Sequence, residues 1–260
     1  MAILNHCHVM PEGVKKDDPS WGTIPVLKKW MNELGVSKAI AFAPFYYQME
    51  DDPNEWLQQA IADEPDFIGY AAINPKEDDA VDRLRSQVER GFRGAKFHPP
   101  IYKVQINDPA IDDFYAAAEE LGIVIHYHTG VHGWYLRKYE PILIDDVAQN
   151  HPNLRIVMAH VGGRAFFDQA FAVLQNNKNC YAGLAQTRRD TVAWHLTPER
   201  IKLLLDGIGP DRIIYGADFP YNDLAILRDD IEWVRGWGLS DEDTEKILGG
   251  NIARLLGIEE

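Results

Sequence analysis

Eight short apolar runs recur along the chain, and a stretch with helical periodicity follows each of them. The runs are nearly continuous in apolar residues, as in parallel strands buried on both faces, so a parallel sheet is favoured over hairpins. The length of 260 residues fits eight strand–helix units of one α/β fold, the (β/α)8 TIM barrel. The runs span residues 2–8, 38–45, 67–75, 94–99, 123–130, 155–163, 180–185 and 212–220.

The segments between the runs contain signals for helix starts. Residues 108–122 place their apolar side chains on one stripe, and Asp108 is the predicted N-cap of that helix. Residues 240–257 predict a C-terminal closing helix, with a capping box between Ser240 and Asp243.

The chain shows no Ser-rich linker and no shift in composition, so we predict a single domain over residues 1–260. A doubly wound open sheet is the alternative fold. Such a sheet usually has a Gly-rich phosphate loop after its first strand, and HCHVMPEG, at residues 6–13, is not one. The barrel is therefore the preferred prediction.

The formal net charge of −14 limits the range of possible functions. It argues against a nucleic-acid-binding protein, which usually presents a basic face, and against attraction to an anionic membrane. We expect no signal peptide and no membrane span, because no suitable apolar segment is present. Cys7 and Cys180 make no disulfide framework. These features predict a cytoplasmic protein acting on a small molecule, and they are compatible with a homodimer.

Histidines occur in pairs two residues apart on the predicted strands, where side chains on alternate positions share a face. His6 pairs with His8, and His126 with His128; Lys96 and His98 have the same spacing. These residues, together with His160 and Asp218, lie where strands end and loops begin. The carboxyl ends of barrel strands form the face that holds active sites, so we expect these side chains to converge on one mouth.

The chemistry of these residues suits a metal site. Zinc and similar ions bind neutral imidazole and carboxylate, and catalytic sites leave one position open for water. His6 and His8, a histidine from strand five and Asp218 would complete such a site. We therefore predict one divalent metal ion, with zinc as the first choice and manganese or iron as alternatives. Cys7 alternates away from the two histidines, so thiolate ligation is not expected.

Several motifs, taken together, resemble the metal-dependent amidohydrolase superfamily, in particular the amidohydrolase 2 group. That group contains hydrolases and non-oxidative decarboxylases similar to aminocarboxymuconate-semialdehyde decarboxylase. The resemblance covers essentially the whole chain. The motifs are NHCH (5–8), AAINP (71–75), GAKFHP (94–99), HTG (128–130), AHVGG (159–163), YGADFP (215–220) and ILGGNIARLLG (247–257).

The resemblance implies a role for each matching residue. His160 corresponds to the catalytic or second-metal histidine of the family. Leu4 departs from the pattern, because the family commonly has aspartate two residues before the first histidine; we interpret this as loss of a supporting group and not of a ligand. The implied metal ligands are His6, His8, His128 and Asp218.

Other polar residues near the predicted mouth have open roles. Lys96 could neutralise a substrate carboxylate, pair with a buried acid, or bridge two metals when carboxylated. His98 is predicted to contact substrate, and His126 has either a packing role or a supporting one. The loop after the fifth run is either a pocket wall or an ordinary surface loop. Its candidate residues are His132, Trp134 and Arg137.

The predicted activity is hydrolysis of an amide, ester or lactone of a small carboxylated molecule. The metal activates water, Asp218 acts as general base, and His160 stabilises an oxyanion or shuttles the proton. Lys96, His98 and Arg137 around a cation favour an anionic substrate. Decarboxylation of an aromatic or dienoic acid is the alternative, and a barrel that only binds a metal or ligand is the third possibility.

Overall fold

Eight parallel strands pair in chain order in the computed structural model, which describes residues 2–190 and 192–258. The predicted (β/α)8 barrel is confirmed, and every predicted apolar run supplies one strand. The strands are β1 (Ile3–His8), β2 (Lys38–Phe42), β3 (Phe67–Ala72), β4 (Gly94–Phe97), β5 (Val124–His128), β6 (Arg155–Ala159), β7 (Cys180–Gly183) and β8 (Ile213–Ile214).

Helices cover the outside of the barrel. Among the described residues, none of them combines the length and apolar character needed to cross a membrane. The helices are α1 (Ile24–Leu34), α2 (Pro53–Ala60), α3 (Ala80–Glu89), α4 (Pro99–Tyr102), α5 (Asp112–Glu120), α6 (Leu143–Asn150), α7 (Gly163–Asn176), α8 (Pro198–Ile208), α9 (Leu224–Arg235), α10 (Asp241–Glu245) and α11 (Asn251–Leu256).

The two predicted helix starts have the expected caps. The Asp108 carboxylate accepts a hydrogen bond from the Ala110 amide at 3.1 Å and caps a short 3-10 turn that leads into α5. The Ser240 hydroxyl accepts one from the Asp243 amide at 3.1 Å and caps α10. Both bonds satisfy backbone N–H groups that have no partner within the helix.

The barrel interior and the layer between strands and helices are two separate apolar clusters. The interior cluster contains Ile3 and Val124, the first residues of β1 and β5, and Ile214 of the two-residue strand β8. Ile252 and Leu255 of α11 belong to the same cluster, so this helix covers the bottom of the barrel. The predicted closing helix is confirmed, with a five-residue π-helical segment joining α10 and α11.

The last strand is much shorter than the predicted run over residues 212–220. Beyond Ile214 the chain leaves the regular ladder, and the Tyr215 amide donates to the Ile247 carbonyl at 2.9 Å. The seam with β1 is then joined by isolated hydrogen bonds. The Ala217 amide donates to the Asn5 carbonyl at 2.7 Å, and the His8 amide to the Phe219 carbonyl at 2.7 Å.

Strand β1 contains an extra residue before the second histidine. Leu4 pairs with Ala39 and Cys7 with Ala41, so an advance of three residues along β1 matches an advance of two residues along β2. Leu4 and Cys7 therefore both face the helix layer, although they are three residues apart. The bulge changes the alternation along β1, so Leu4 points away from His6; the interpretation of Leu4 as the loss of a supporting group stays a prediction.

Candidate metal centre and active site

The polar side chains meet at the carboxyl end of the barrel, around a cavity of about 300 Å³. The polar residues of its wall include His8, His98, His128, His160 and Asp218. All five are buried. Burying so many polar groups together is costly unless they bind a ligand or one another, which indicates a functional site.

Three of the predicted ligands form a compact group of metal-binding atoms. His6 Nε2 lies 3.1 Å from His8 Nε2 and 3.3 Å from Asp218 Oδ1, and the His8–Asp218 distance is 3.7 Å. Ligands bound to one zinc ion at about 2.0–2.1 Å in a tetrahedral arrangement lie roughly 3.3 Å apart. The donor spacing therefore fits a single small divalent ion.

Unusual backbone conformations bring these atoms together. His6 has φ of 67° and Asp218 has φ of 51°, both in the left-handed region. This region is uncommon outside glycine, although aspartate and histidine enter it more readily than most residues. The Tyr221 amide donates to the Asp218 carbonyl at 2.9 Å and supports the turn. Such strain persists where the surrounding structure holds it, and it is frequent at functional sites.

Burial also sets the protonation of the three ligands. It lowers the pKa of His6 and of His8 well below 6.5, and the nearby Lys96 charge adds to the effect. Both imidazoles are therefore neutral, the form that binds metal. Burial raises the pKa of the Asp218 carboxyl to about 7, against the opposing effect of Lys96.

His126 supports the first ligand. Its Nε2 lies 3.2 Å from Nδ1 of His6, which leaves Nε2 of His6 free to face the other two ligands. A ligand histidine is commonly oriented by a hydrogen bond to its other ring nitrogen. Of the two roles left open from sequence, the geometry favours the supporting one.

Lys96 lies deep in the barrel beside His6. Its Nζ is 3.5 Å from His6 Nε2 and 5.2 Å from the centre of the Phe42 ring. Burial lowers the pKa of the Lys96 ammonium to about 7, and the Asp218 charge acts in the opposite direction. Lys96 does not line the cavity, and its role among the three sequence-based alternatives stays open.

His160 is held at its far side by the backbone. Its Nδ1 lies 2.8 Å from the Ala185 carbonyl, which can only accept a hydrogen bond, so Nδ1 carries the proton. Burial lowers the pKa of His160 to about 3, and the ring is therefore neutral, with Nε2 as an acceptor. His160 also has a left-handed φ of 65°.

His128 lies in the same cavity but outside the three-ligand group. Its ring is stacked on His98 at 4.1 Å and meets the His160 ring edge-on at 4.7 Å. His132 contacts both stacked rings from the loop that follows β5. The assignment of His128 as a fourth ligand stays a prediction, as does substrate contact by His98.

Two residues of the loop after β5 lie away from the cavity. Trp134 is stacked on Tyr139 at 6.3 Å, and the exposed Arg137 lines a separate surface groove with Tyr135 and Leu136. The structure therefore does not bring Trp134 or Arg137 to the ligand group, and their substrate-binding role remains a prediction without this support.

Four aromatic side chains of the cavity wall were not predicted from sequence. Phe45 and Tyr47 follow β2, and Tyr221 follows the Asp218 turn, so their positions directly after strands were an available signal. Trp194 lies on the long loop between β7 and α8, where no periodicity or motif marks it.

Comparison with known proteins agrees with this geometry. The amidohydrolase family model matches residues 6–258. The structure resembles 2,6-dihydroxybenzoate decarboxylase from Rhizobium, with 17% identity and a TM-score of 0.76 over 100% of this chain and 99% of that one. It also resembles dihydroxybenzoic acid decarboxylase from Polaromonas sp. JS666 with bound manganese, at 17% identity, TM-score 0.76 and coverage of 100% and 97%.

A third similar structure is an amidohydrolase from Burkholderia multivorans with bound zinc. It has 15% identity and a TM-score of 0.77, with 100% of both chains covered. At these identities the structural likeness shows the shared fold, whereas the family match extends over nearly the whole chain. The protein is an enzyme that belongs to the amidohydrolase family.

Proposed function

We propose that this enzyme is a metal-dependent hydrolase that cleaves an amide, ester or lactone of a small carboxylated molecule. The observation that carries the proposal is the position of Asp218. Its Oδ1 lies within 3.3 Å of His6 Nε2 and 3.7 Å of His8 Nε2, so Oδ1 completes the ligand group and Oδ2 is the oxygen that can take a proton.

The ligand group suits a single divalent ion, and two nitrogens with one oxygen favour zinc, with manganese or iron as alternatives. A divalent ion held there supplies a Lewis acid that polarises a carbonyl and makes a water molecule more acidic. Asp218 Oδ2, the carboxylate oxygen outside the ligand group, would accept the proton from that water.

His160 has an accepting role in this scheme. Because the Nδ1–H of His160 donates a hydrogen bond to the Ala185 carbonyl, Nε2 of His160 is unprotonated and presents a lone pair to the cavity. An acceptor can move a proton away from a water or hydroxyl group, but a neutral His160 in this tautomer has no N–H to offer an oxyanion. Of the two roles inferred from sequence, proton transfer is the one this geometry supports.

An anionic substrate is part of the proposal. Among the described residues that line the cavity, Asp218 is the only acidic one, and histidines form much of the remaining polar wall. A cation at the ligand group would give this wall a positive field within an acidic protein, which attracts a carboxylate. The charge on Lys96, behind His6, would add to that field.

Decarboxylation of an aromatic acid is the second candidate. The favouring observation is the aromatic wall, in which Phe45 and Tyr47 are stacked with ring centres 5.9 Å apart and an interplanar angle of 8°. Trp194 and Tyr221 line the same cavity. A planar ring would pack well against such surfaces. Two of the similar structures are dihydroxybenzoate decarboxylases.

One experiment separates the two reactions. The zinc-loaded enzyme is offered carboxylated lactones and amides in one panel and hydroxybenzoic and dienoic acids in another, while acid release and carbon dioxide are measured in parallel. We expect acid release from the first panel, lost on chelation and restored by zinc. Carbon dioxide release without hydrolysis would instead establish the second candidate, and turnover that survives chelation would overturn the metal-dependent mechanism.

A further inference from the structure

The loop between β7 and α8 contributes one side chain directly against His160. We propose that Trp194 is a positioning residue that fixes the plane of the His160 ring, and that residue 130 is glycine to leave room for the indole. The consequence for turnover rests on the function proposed above, whereas the placement of the two rings does not.

The contact between the rings is close and nearly parallel. The Trp194 and His160 ring centres are 4.3 Å apart with an interplanar angle of 23°, a stacked arrangement. The indole also meets the His128 ring edge-on at 5.4 Å. The hydrogen bond from His160 Nδ1 to the Ala185 carbonyl holds one edge of the imidazole, and the indole packs against its face. Together the two contacts restrict tilting of the ring, so Nε2 keeps one direction into the cavity.

Two glycines make this packing possible. A Cβ on Gly130 would lie 2.0 Å from both Cδ1 and Nε1 of Trp194, and a Cβ on Gly163 would lie 2.7 Å from its Cα. Gly163 also has a left-handed φ of 59°, which requires glycine for a second reason. Gly130 does not have a left-handed φ, so the space occupied by the indole is what excludes a side chain there.

The loop is anchored on both sides of the indole. The Arg164 amide donates to the Ala193 carbonyl at 3.0 Å, and the Leu196 amide to the Thr187 carbonyl at 2.7 Å. These backbone bonds hold the residues that flank Trp194 against the barrel. The indole is therefore presented in a fixed position before substrate binds, as expected of a group that orients another side chain.

The experiment uses the zinc-loaded full chain with Trp194→Ala, Trp194→Phe, Gly130→Ala and the double variant Gly130→Ala/Trp194→Ala. Gly236→Ala is the matched control, because a Cβ there makes ordinary contacts of 3.4 Å on an exposed helix end. Trp194→Ala and Gly130→Ala should each lower kcat by about 10- to 10²-fold at unchanged zinc content, because both misplace His160. Trp194→Phe, which keeps an aromatic face, should recover most of the loss.

The double variant tests whether the two residues act through one contact. If Gly130 exists to admit Trp194, adding Gly130→Ala to Trp194→Ala should cost no further activity and should restore the melting temperature lost in Gly130→Ala. Losses that multiply in the double variant, or an unaffected Gly130→Ala enzyme, would overturn the proposal.

A second measurement does not depend on turnover. In ¹³C-histidine NMR spectra of the zinc-loaded protein, assigned with His160→Gln, the stacked indole should shift the His160 resonance upfield. Trp194→Ala and Gly130→Ala should both abolish this shift, and Gly236→Ala should leave it intact. A His160 resonance that Trp194→Ala does not move would refute the positioning role. If the shift behaves as expected in an enzyme inactive on every hydrolysis substrate, the proposed function fails and the ring placement stands.

Discussion

Two halves of the barrel mouth contribute histidines in different ways. Strands β4 and β5 pair in unbroken register, with Lys96 opposite His126. The β1 and β8 side of the mouth is irregular. Strand β1 has a bulge in its pairing with β2, and His6 and Asp218 are left-handed; among the described residues, isolated contacts join β1 to the segment after β8. The irregular half supplies all three atoms of the compact ligand group, and the regular half supplies the side chains around it.

Regular strand pairing alone does not make a metal site in this barrel. A regular strand sends alternate side chains in one direction at about 6.5 Å spacing, which leaves His126 behind His128. The bulge and the left-handed φ of His6 instead bring its ring nitrogen to 3.1 Å from that of His8. Local backbone strain thus brings the donor atoms as close together as binding of one metal ion requires.

The strongest test of this comparison is metal content. His8→Ala should lose the bound ion, because it removes one of three close donors, whereas His128→Ala should keep most of it. Elemental analysis of purified, dialysed protein measures both. His151→Ala, which removes a histidine bonded to Asp112 far from the mouth, is the control. Equal loss from His8→Ala and His128→Ala would place His128 among the ligands, as the sequence suggested.

Asp218 gives the next largest effect. Asp218→Asn keeps an oxygen near His6 and His8 but removes the base, so turnover should fall by a factor of about 10² to 10⁴. Zinc content should stay near that of the wild type. Steady-state kinetics and elemental analysis on one preparation separate the two roles. Loss of zinc in step with activity would make Asp218 chiefly a ligand, and unchanged turnover would remove it from the mechanism.

A smaller effect is expected from the regular half. His126→Phe removes the hydrogen-bond partner of His6 Nδ1 and should weaken zinc affinity by about 10- to 100-fold. Competition with a chelator of known affinity measures the change. His126→Gln, which can still accept a hydrogen bond, should lose less. Identical affinities for His126→Phe and the wild type would mean that this pair does not orient the ligand.

The smallest expected effect concerns stability and Lys96. Burial lowers its pKa from 10.5 to about 7, so between these values the unfolded chain binds a proton that the folded protein does not. The unfolding free energy contributed by Lys96 therefore rises with pH from 7 to 10.5, and below pH 7 the buried charge is most costly. Lys96→Met should stabilise the metal-free protein at pH 6, by about 1–2 kcal/mol, and less at pH 9.

Urea unfolding of the chelated protein at both pH values measures this difference. The same substitution in an Asp218→Asn background is the control, because it removes the acid whose charge opposes the pKa shift of Lys96. A gain from Lys96→Met that grows with pH would contradict the direction of the shift.

The hydrophobic pattern and the sequence motifs were sufficient to predict the barrel architecture and most of the polar residues at its mouth. Eight buried runs predict eight strands because burial on both faces requires continuous apolar sequence, and strand ends in a barrel share one face. The sequence therefore predicts that four polar residues meet at the mouth: His6, His8, His160 and Asp218. The closing helix followed from caps and periodicity, since both are local properties of the chain.

Tertiary structure decided the features that depend on a backbone departure or a distant contact. The alternation of side chains along a strand does not reveal the bulge that turns Leu4 away from His6. It also does not reveal the left-handed backbone at His6 and Asp218, which brings the metal-binding atoms together. Nor does sequence reveal that Trp194, from a loop without periodicity, covers His160 in the space left by Gly130. Local sequence determines which residues each strand end carries, because strand formation and burial are encoded locally. Atomic positions at the mouth depend on how the whole barrel closes, because side chains far apart in sequence meet only there.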